Sequence, residues 1–233
     1  MPLPRFQNLD EPRRLSIVAA AAEEFGERGF AGASYNRIIE RAGISKGAMY
    51  YYFADKDDLF RTVLDSALAQ WLAHVGFPFQ ADDAVSFWSA CQAMYERSLR
   101  FMLEDRRNAA LCLSITRARE RLEGHPALVD LQQRMQEFTG VLARHGRDIG
   151  ALRADVPPDL AVHVALSMMD AGDRWLAAHW DEITPDAVEA TAKTMVDLFK
   201  RALAPEHVRP APAASDQLPA AAPHGRRASE KKR

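Results

Sequence analysis

Apolar residues recur at intervals of three and four along most of the chain, from about residue 12 to about residue 203. This spacing places them on one face of an α-helix, whereas a half-buried strand shows strict alternation of apolar and polar residues. No such alternation of any length is present in the sequence. The pattern therefore predicts an all-α fold, and glycine, proline and capping residues divide it into nine helices.

The amino-terminal part of the pattern predicts one long helix followed by two short ones. The first helix covers residues 11–28 and ends at Gly29, because glycine readily adopts the backbone conformation that terminates a helix. The second covers residues 34–42 and ends at Gly43, and the third covers residues 46–53.

Polar residues that can cap helices precede the next segments. Ser34 stands before the second helix, Ser45 before the third and Asp55 before the fourth. Each side chain can accept a hydrogen bond from a backbone amide in the first turn. The fourth helix continues to the break at residues 76–78, and a helix of this length can join two domains.

Five further helices follow from the same spacing and from the prolines and glycines between them. They cover about residues 84–104, 106–122, 128–149, 159–180 and 184–203. From residue 205 the composition changes to alanine, proline and charged residues, which predicts a disordered tail. We therefore expect a first domain over residues 1–54, a second over 55–204 and a tail over 205–233.

The second and third helices are separated by a three-residue turn, residues 43–45. Two short helices joined in this way form a helix-turn-helix, whose second helix lies in the DNA major groove. The pair can be held against the first helix by Ile38, Ile39, Ala42, Ile44, Met49 and Phe53. The outer face then consists of Lys46, Gly47, Ala48, Tyr50, Tyr51 and Tyr52.

Three consecutive tyrosines cannot all point into the core, and their hydroxyl groups require partners. An exposed cluster predicts a ligand, here phosphates and base edges, although any one tyrosine could equally pack or form a local hydrogen bond. The net charge of −2 excludes a uniformly basic surface for nucleic acid. Residues 34–56 nevertheless carry a local net charge of +2, which favours a small basic patch.

The segment AGISKGAMYYYF at residues 42–53, followed by DKDDL at residues 55–59, resembles the TetR family of bacterial regulators. The resemblance covers about residues 12–60 and implies that the first three helices bind DNA. It also implies that the remaining helices bind a ligand and form a dimer, usually through the last two helices. Members of the family are mostly repressors that a small molecule releases from DNA.

The resemblance also implies individual contacts. It makes Ser34 the cap of the second helix, Arg37 a contact to the DNA backbone and Lys56 a phosphate ligand. Its remaining contacts lie on or just before the third helix. The complete predicted DNA-binding set is Ser34, Arg37, Ser45, Lys46, Gly47, Ala48, Tyr50, Tyr51, Tyr52 and Lys56. Tyr51 stands where the family commonly has histidine, so the base preference of other family members cannot be assigned to this protein.

The second domain contains large, adaptable side chains that could line a hydrophobic pocket for a small-molecule inducer. Core packing explains most such residues equally well. The candidates are Trp71, Trp88, Tyr95, Met102, Met135, Phe138, Met168 and Met169.

Other classes of protein receive little support from the sequence. The chain shows neither the apolar run of a secretory signal nor that of a membrane span, so we expect a cytoplasmic protein without a membrane partner. Cys91 and Cys112 lack the spacing of a zinc site. Because no catalytic or phosphate-binding motif is present, we expect no enzymatic activity, catalytic residue, metal or cofactor.

The sequence therefore predicts a homodimeric transcription regulator that binds a double-stranded DNA operator. Two alternatives remain open at this point. One is a helical adaptor or sensor that binds a small molecule or a protein without DNA, and the other is a helical enzyme with its site in the second half.

Overall fold

The computed structural model describes residues 4–78 and 80–208, and these ranges contain ten α-helices and no strand. The all-α prediction is confirmed, with one helix more than the nine predicted. That helix, α1, is a four-residue turn, too short to show a hydrophobic period. The helices are α1 Pro4–Gln7, α2 Glu11–Gly32, α3 Tyr35–Ala42, α4 Lys46–Tyr52, α5 Lys56–Val75, α6 Ala84–Glu104, α7 Arg106–Arg117, α8 Pro126–Asp148, α9 Pro158–Ala178 and α10 Val188–Leu203.

The first domain is built on α2, whose buried face carries α3 and α4. Gly29 has a φ of 66° and interrupts α2, so the predicted end of the first helix is a kink inside a longer element. The shared core is formed by side chains from all three helices and from α5. Its fully buried members include Ile17, Phe25, Ile38, Met49, Phe53 and Leu59.

The predicted second domain corresponds to α5 to α10, although residues of α7 and α8 share the buried core of α2. The predicted helix over 106–122 is two pieces, because the chain tightens at Ala118 into a 3-10 turn, Arg119–Leu122. The last helix begins after a 3-10 turn at Pro185–Ala187. Within the described ranges, none of these helices is both long enough and apolar enough to cross a bilayer.

The first residues of the predicted disordered tail are folded, so its predicted start at residue 205 is wrong. Glu206–Val208 form a 3-10 turn, and Val208 packs against a buried cluster of the second domain. Residues 209–233 of the predicted tail lie outside the described residues.

Several contacts join the domains, among them the packing of His125 on Phe30, and two of them bear on the position of α4. One is α5, which begins beside α4 and extends into the second domain, as predicted. The other was not predicted: α7 packs so closely on α2 that a Cβ atom at Gly26 would lie 3.0 Å from the Cβ of Ala110. At the same contact, the hydroxyl of Ser114 donates a hydrogen bond to the carbonyl of Phe25, at 3.2 Å. Helix α2, which supports α3 and α4, is thus fixed directly to the second domain.

Candidate nucleic-acid interface

The turn between α3 and α4 determines how α4 is presented. Gly43 has a φ of 62°, a left-handed conformation that glycine adopts without strain, and its N–H closes the end of α3. Ser45 then caps α4, since its hydroxyl accepts a hydrogen bond from the amide of Ala48 at 3.1 Å. The predicted cap at Ser45 is therefore confirmed.

Helix α4 has a buried face and an exposed face. Met49 and Phe53 are fully buried and hold the helix against the first domain. On the other side, Lys46 is exposed, and Tyr50 and Tyr51 are 53% and 50% exposed. Gly47 is also exposed, whereas Ala48 is half-buried. This arrangement presents a cation and two phenol groups to the exterior on a rigid base.

Tyr52 is placed differently from the other two tyrosines. Its side chain is half-buried and its ring makes an edge-to-face contact with Phe6, with 6.2 Å between centroids. Tyr52 therefore packs α1 against α4 and presents less of its ring to the exterior than predicted.

Ser34 precedes α3, but its side chain makes no capping hydrogen bond, so the predicted cap is wrong. The backbone amide of Ser34 instead donates to Oε1 of Glu24, at 2.9 Å. A carboxylate from α2 thus binds the start of α3, which local sequence could not reveal.

Arg37 is occupied by the same carboxylate. Its Nε donates to Oε1 of Glu24 at 2.7 Å, and its guanidinium also donates to the carbonyl of Gly32 at 3.0 Å. Glu24 is 0% exposed. Burial alone would raise the pKa of Glu24, but the bonds from Arg37 and Ser34 and the charge of Arg41 outweigh it, so the pKa is lowered. The structure gives Arg37 an internal role that competes with the predicted contact to DNA.

Lys56 also has internal partners. Its Nζ donates to the carbonyl of Phe30 at 2.8 Å and lies 4.6 Å from the centroid of that ring. The start of α5 is already capped by Asp55, which accepts from the amide of Asp58 at 2.8 Å. The predicted cap at Asp55 is therefore confirmed. Asp55 therefore already binds one of the amides at the start of α5, beside the predicted phosphate ligand Lys56.

Tyr35 anchors the outer face to α5. Its hydroxyl donates to the carbonyl of Asp55 at 3.0 Å, and its ring lies 5.4 Å from that of Tyr50. Burial, together with the charge of Asp55, raises the pKa of Tyr35. The side chain is therefore neutral and acts as a support for Tyr50.

The candidate pocket residues of the second domain differ in burial and in the partners that they contact. Trp71 contacts Phe138, with 5.5 Å between ring centroids, and its Nε1 donates to the hydroxyl of Ser98 at 2.7 Å. Trp88 is buried and donates to the carbonyl of Ala151 at 3.2 Å, so it belongs to the core. The others are half-buried: Tyr95, Met102, Met135, Phe138, Met168 and Met169.

Two concave sites lie elsewhere in this domain. A cleft of about 230 Å³ separates α8 from α9 near Arg144 and Val162. An open depression of about 490 Å³ lies near His74 and Phe101, where α5, α6 and α7 meet. None of the eight candidate pocket residues lines either site. Their role in ligand binding stays a prediction.

The segment that contains α4 is similar to a known family of proteins. Residues 17–63 match the profile described as "Bacterial regulatory proteins, tetR family". This segment contains α3, α4, most of α2 and the first eight residues of α5. The HTH-type transcriptional regulator RutR of Escherichia coli K12 is 39% identical over 61 residues, 26% of this chain and 29% of that protein. The chain thus spans less than a third of the length of the first curated relatives that it matches.

Solved structures extend the likeness to the whole fold. A TetR family transcriptional regulator from Chloroflexus aurantiacus has a TM-score of 0.60 at 22% identity, over 87% of this chain and 98% of its own. The transcriptional regulator FadR from Bacillus subtilis, in complex with stearoyl-CoA, has a TM-score of 0.66 at 16% identity, over 79% of this chain and 96% of its own. With the profile match and the helix-turn-helix geometry, these likenesses lead to one conclusion. Residues 17–63 carry the helix-turn-helix of the TetR family, and the chain as a whole has the fold of TetR-family regulators.

Proposed function

We propose that the protein is a transcription regulator that binds an operator in double-stranded DNA as a homodimer and is released by a small molecule. The observation that carries this proposal is the exposed face of α4. Lys46, Tyr50 and Tyr51 stand outward on a short helix whose other side is fixed by fully buried Met49 and Phe53. A rigid helix with outward polar groups suits insertion into the major groove, where base edges and phosphates are within reach.

Dimerisation is supported by exposed apolar residues on α9 and α10. Leu160, Trp175 and Leu198 are 51%, 46% and 51% exposed, although each belongs to a long helix of the second domain. Large exposed apolar side chains on adjacent helices favour burial against an identical surface in a twofold dimer. Two copies of α4 would then contact half-sites about one DNA turn, ~34 Å, apart.

Control by a small molecule is supported by the half-buried aromatic and methionine side chains between the helices of the second domain. Such side chains repack readily around an apolar ligand. The structure of FadR from Bacillus subtilis, which has the same fold, is that of a complex with stearoyl-CoA. A ligand between α5 and α8 would separate Trp71 from Phe138 and move α5, which leads directly to α4.

Release from DNA then requires that the ligand bind one arrangement of the dimer preferentially. Because α2 is fixed to α7 at Gly26 and α5 continues from α4, a displacement in the second domain reaches α4 along two routes. A coupling free energy of about 3 kcal/mol would lower operator affinity roughly a hundredfold. This action makes the protein a repressor in the absence of its ligand.

The test is fluorescence anisotropy of a labelled random duplex, titrated at about 50 mM and 200 mM salt. Wild-type protein should bind more weakly at the higher salt concentration. Lys46→Ala should bind all sequences more weakly and reduce the slope of log affinity against log salt by about 0.9 for each phosphate that Lys46 neutralises. Salt-insensitive or absent binding would instead indicate an adaptor that does not use DNA.

A further inference from the structure

The interface predicted from the sequence has fewer available cations than its composition indicates. Arg37 pairs with Glu24, Arg41 pairs with Glu27 at 2.8 Å, and Lys56 donates to the carbonyl of Phe30. The side chain of Lys46 forms no hydrogen bond or ion pair with the described residues. DNA binding depends strongly on phosphate neutralisation, so another cation near α4 would contribute substantially.

Helix α1 brings such a cation to α4. Phe6 is only 3% exposed, and its ring packs against Phe53, with 4.7 Å between centroids, and against Tyr52. The amide of Leu9 donates to the carbonyl of Phe6 at 3.2 Å, which turns the chain toward α2. These contacts attach α1 to the carboxyl-terminal end of α4, whereas Lys46 lies at its amino-terminal end.

Arg5 precedes this anchor and is exposed. Its guanidinium carbon lies 4.3 Å from the ring centroid of Tyr51, within the range of a cation–π interaction. No carboxylate within the described part of the chain forms an ion pair with Arg5. The charge is therefore held beside the outer face of α4 and keeps its hydrogen-bond donors available.

We propose that Arg5 binds a DNA backbone phosphate and that Tyr51 is the positioning residue that holds it there. This inference rests on the proposed DNA-binding function. Lys46 and Tyr51 are five residues apart, about 7.5 Å along the axis of α4. The two cations thus stand toward opposite ends of the helix, as contacts to the two backbones that border a major groove of about 12 Å require.

The proposal gives the Tyr51 ring a role distinct from base recognition. The aromatic face attracts the guanidinium, and the hydroxyl is not needed for that attraction. Tyr51→Phe should therefore retain the contribution of Arg5, whereas Tyr51→Ala should abolish it. If the hydroxyl of Tyr51 instead read a base, Tyr51→Phe would change the sequence preference of the protein.

The experiment measures the affinity of the full chain for the labelled random duplex across a salt series. The proteins compared are wild type, Arg5→Gln, Arg5→Lys, Tyr51→Phe, Tyr51→Ala, Lys46→Ala and Arg144→Gln. Arg144 is a matched control, because it is also an exposed arginine but lies far from α4. It is about 27 Å along α8 from the start of that helix, which is the end nearer the first domain. Arg5→Gln should reduce the salt slope by about 0.9 per subunit, whereas Arg5→Lys and Arg144→Gln should keep the wild-type slope. Circular dichroism should show that all variants have wild-type helicity.

An Arg5→Gln slope equal to that of wild type would overturn the inference. If Lys46→Ala still reduces the slope in the same series, the proposed function stands and only the role of Arg5 fails. If wild-type binding itself does not respond to salt, the proposed function fails and this inference fails with it. A reduced slope in Arg5→Gln that Arg5→Lys restores supports the phosphate contact.

Discussion

The aromatic side chains beneath α3 and α4 are packed differently from those between α5 and α8. In the first domain, Phe25 and Phe53 are fully buried and form a fixed base beneath α3 and α4. Between α5 and α8, Trp71 and Phe138 contact each other but remain half-buried. A surface that must fit a DNA groove requires a close-packed support, whereas a chamber for a small molecule requires side chains that can move apart.

The largest expected effect tests this difference in packing directly. Phe53→Ala should lower the free energy of unfolding by about 3–5 kcal/mol, because it opens a cavity in a fully packed core. The matched change Phe138→Ala should have less than half of that effect, since the ring is already partly solvated. Urea unfolding at a fixed protein concentration measures both. Equal decreases in the two variants would contradict the distinction between the two domains.

A medium effect is expected where the domains meet. Gly26→Leu would force bulky atoms against Ala110 and the backbone of Leu111, and should destabilise the protein by about 1–3 kcal/mol. Gly26→Ala should be close to neutral, because a gain in helix propensity of up to about 1 kcal/mol offsets the tight contact. Thermal unfolding compares the two variants. If Gly26→Leu were as stable as wild type, α2 and α7 would not be tightly joined.

The smallest expected effect is a change in how the stability of the protein depends on pH. Because the pKa of Glu24 is lowered in the folded state, the carboxylate stabilises the fold above its ordinary pKa of about 4.3. That stabilisation is lost as pH falls through the lower, folded-state pKa. Glu24→Gln should therefore be less stable than wild type at pH 7 and should show a flatter decline below about pH 4.

Stability against pH, measured by thermal unfolding between pH 3 and pH 7, tests this expectation. Lys193→Gln offers a comparison, because it removes an exposed ion pair with Asp197 and should leave the acid decline unchanged. A Glu24→Gln profile parallel to that of wild type would show that Glu24 does not contribute to the acid response.

Features that depend on local sequence could be predicted. The caps at Ser45 and Asp55 bind amides three residues ahead, and the left-handed turn at Gly43 follows from glycine itself. The inward side of α4 followed from helical spacing, and Met49 and Phe53 are indeed buried.

Features that depend on distant partners could not be predicted. The roles of Ser34 and Arg37 were predicted from their positions on the second helix. Their partner in the structure is Glu24, which lies at least ten residues earlier. Lys56 is engaged by a carbonyl twenty-six residues away. Periodicity showed that Trp71 and Phe138 face inward, yet it could not show whether a cavity lies between them. A carboxylate at Glu24 within the apolar face of α2 was the one available signal of a buried ion pair.

The central claim is that two copies of α4 occupy the major groove of one operator. Hydroxyl-radical footprinting of the wild-type protein on DNA fragments that it retains tests this claim most directly. We expect two protected regions on each strand, separated by about one helical turn of ~10 base pairs, and weaker protection for Lys46→Ala. A single protected region or an unprotected fragment would contradict the account.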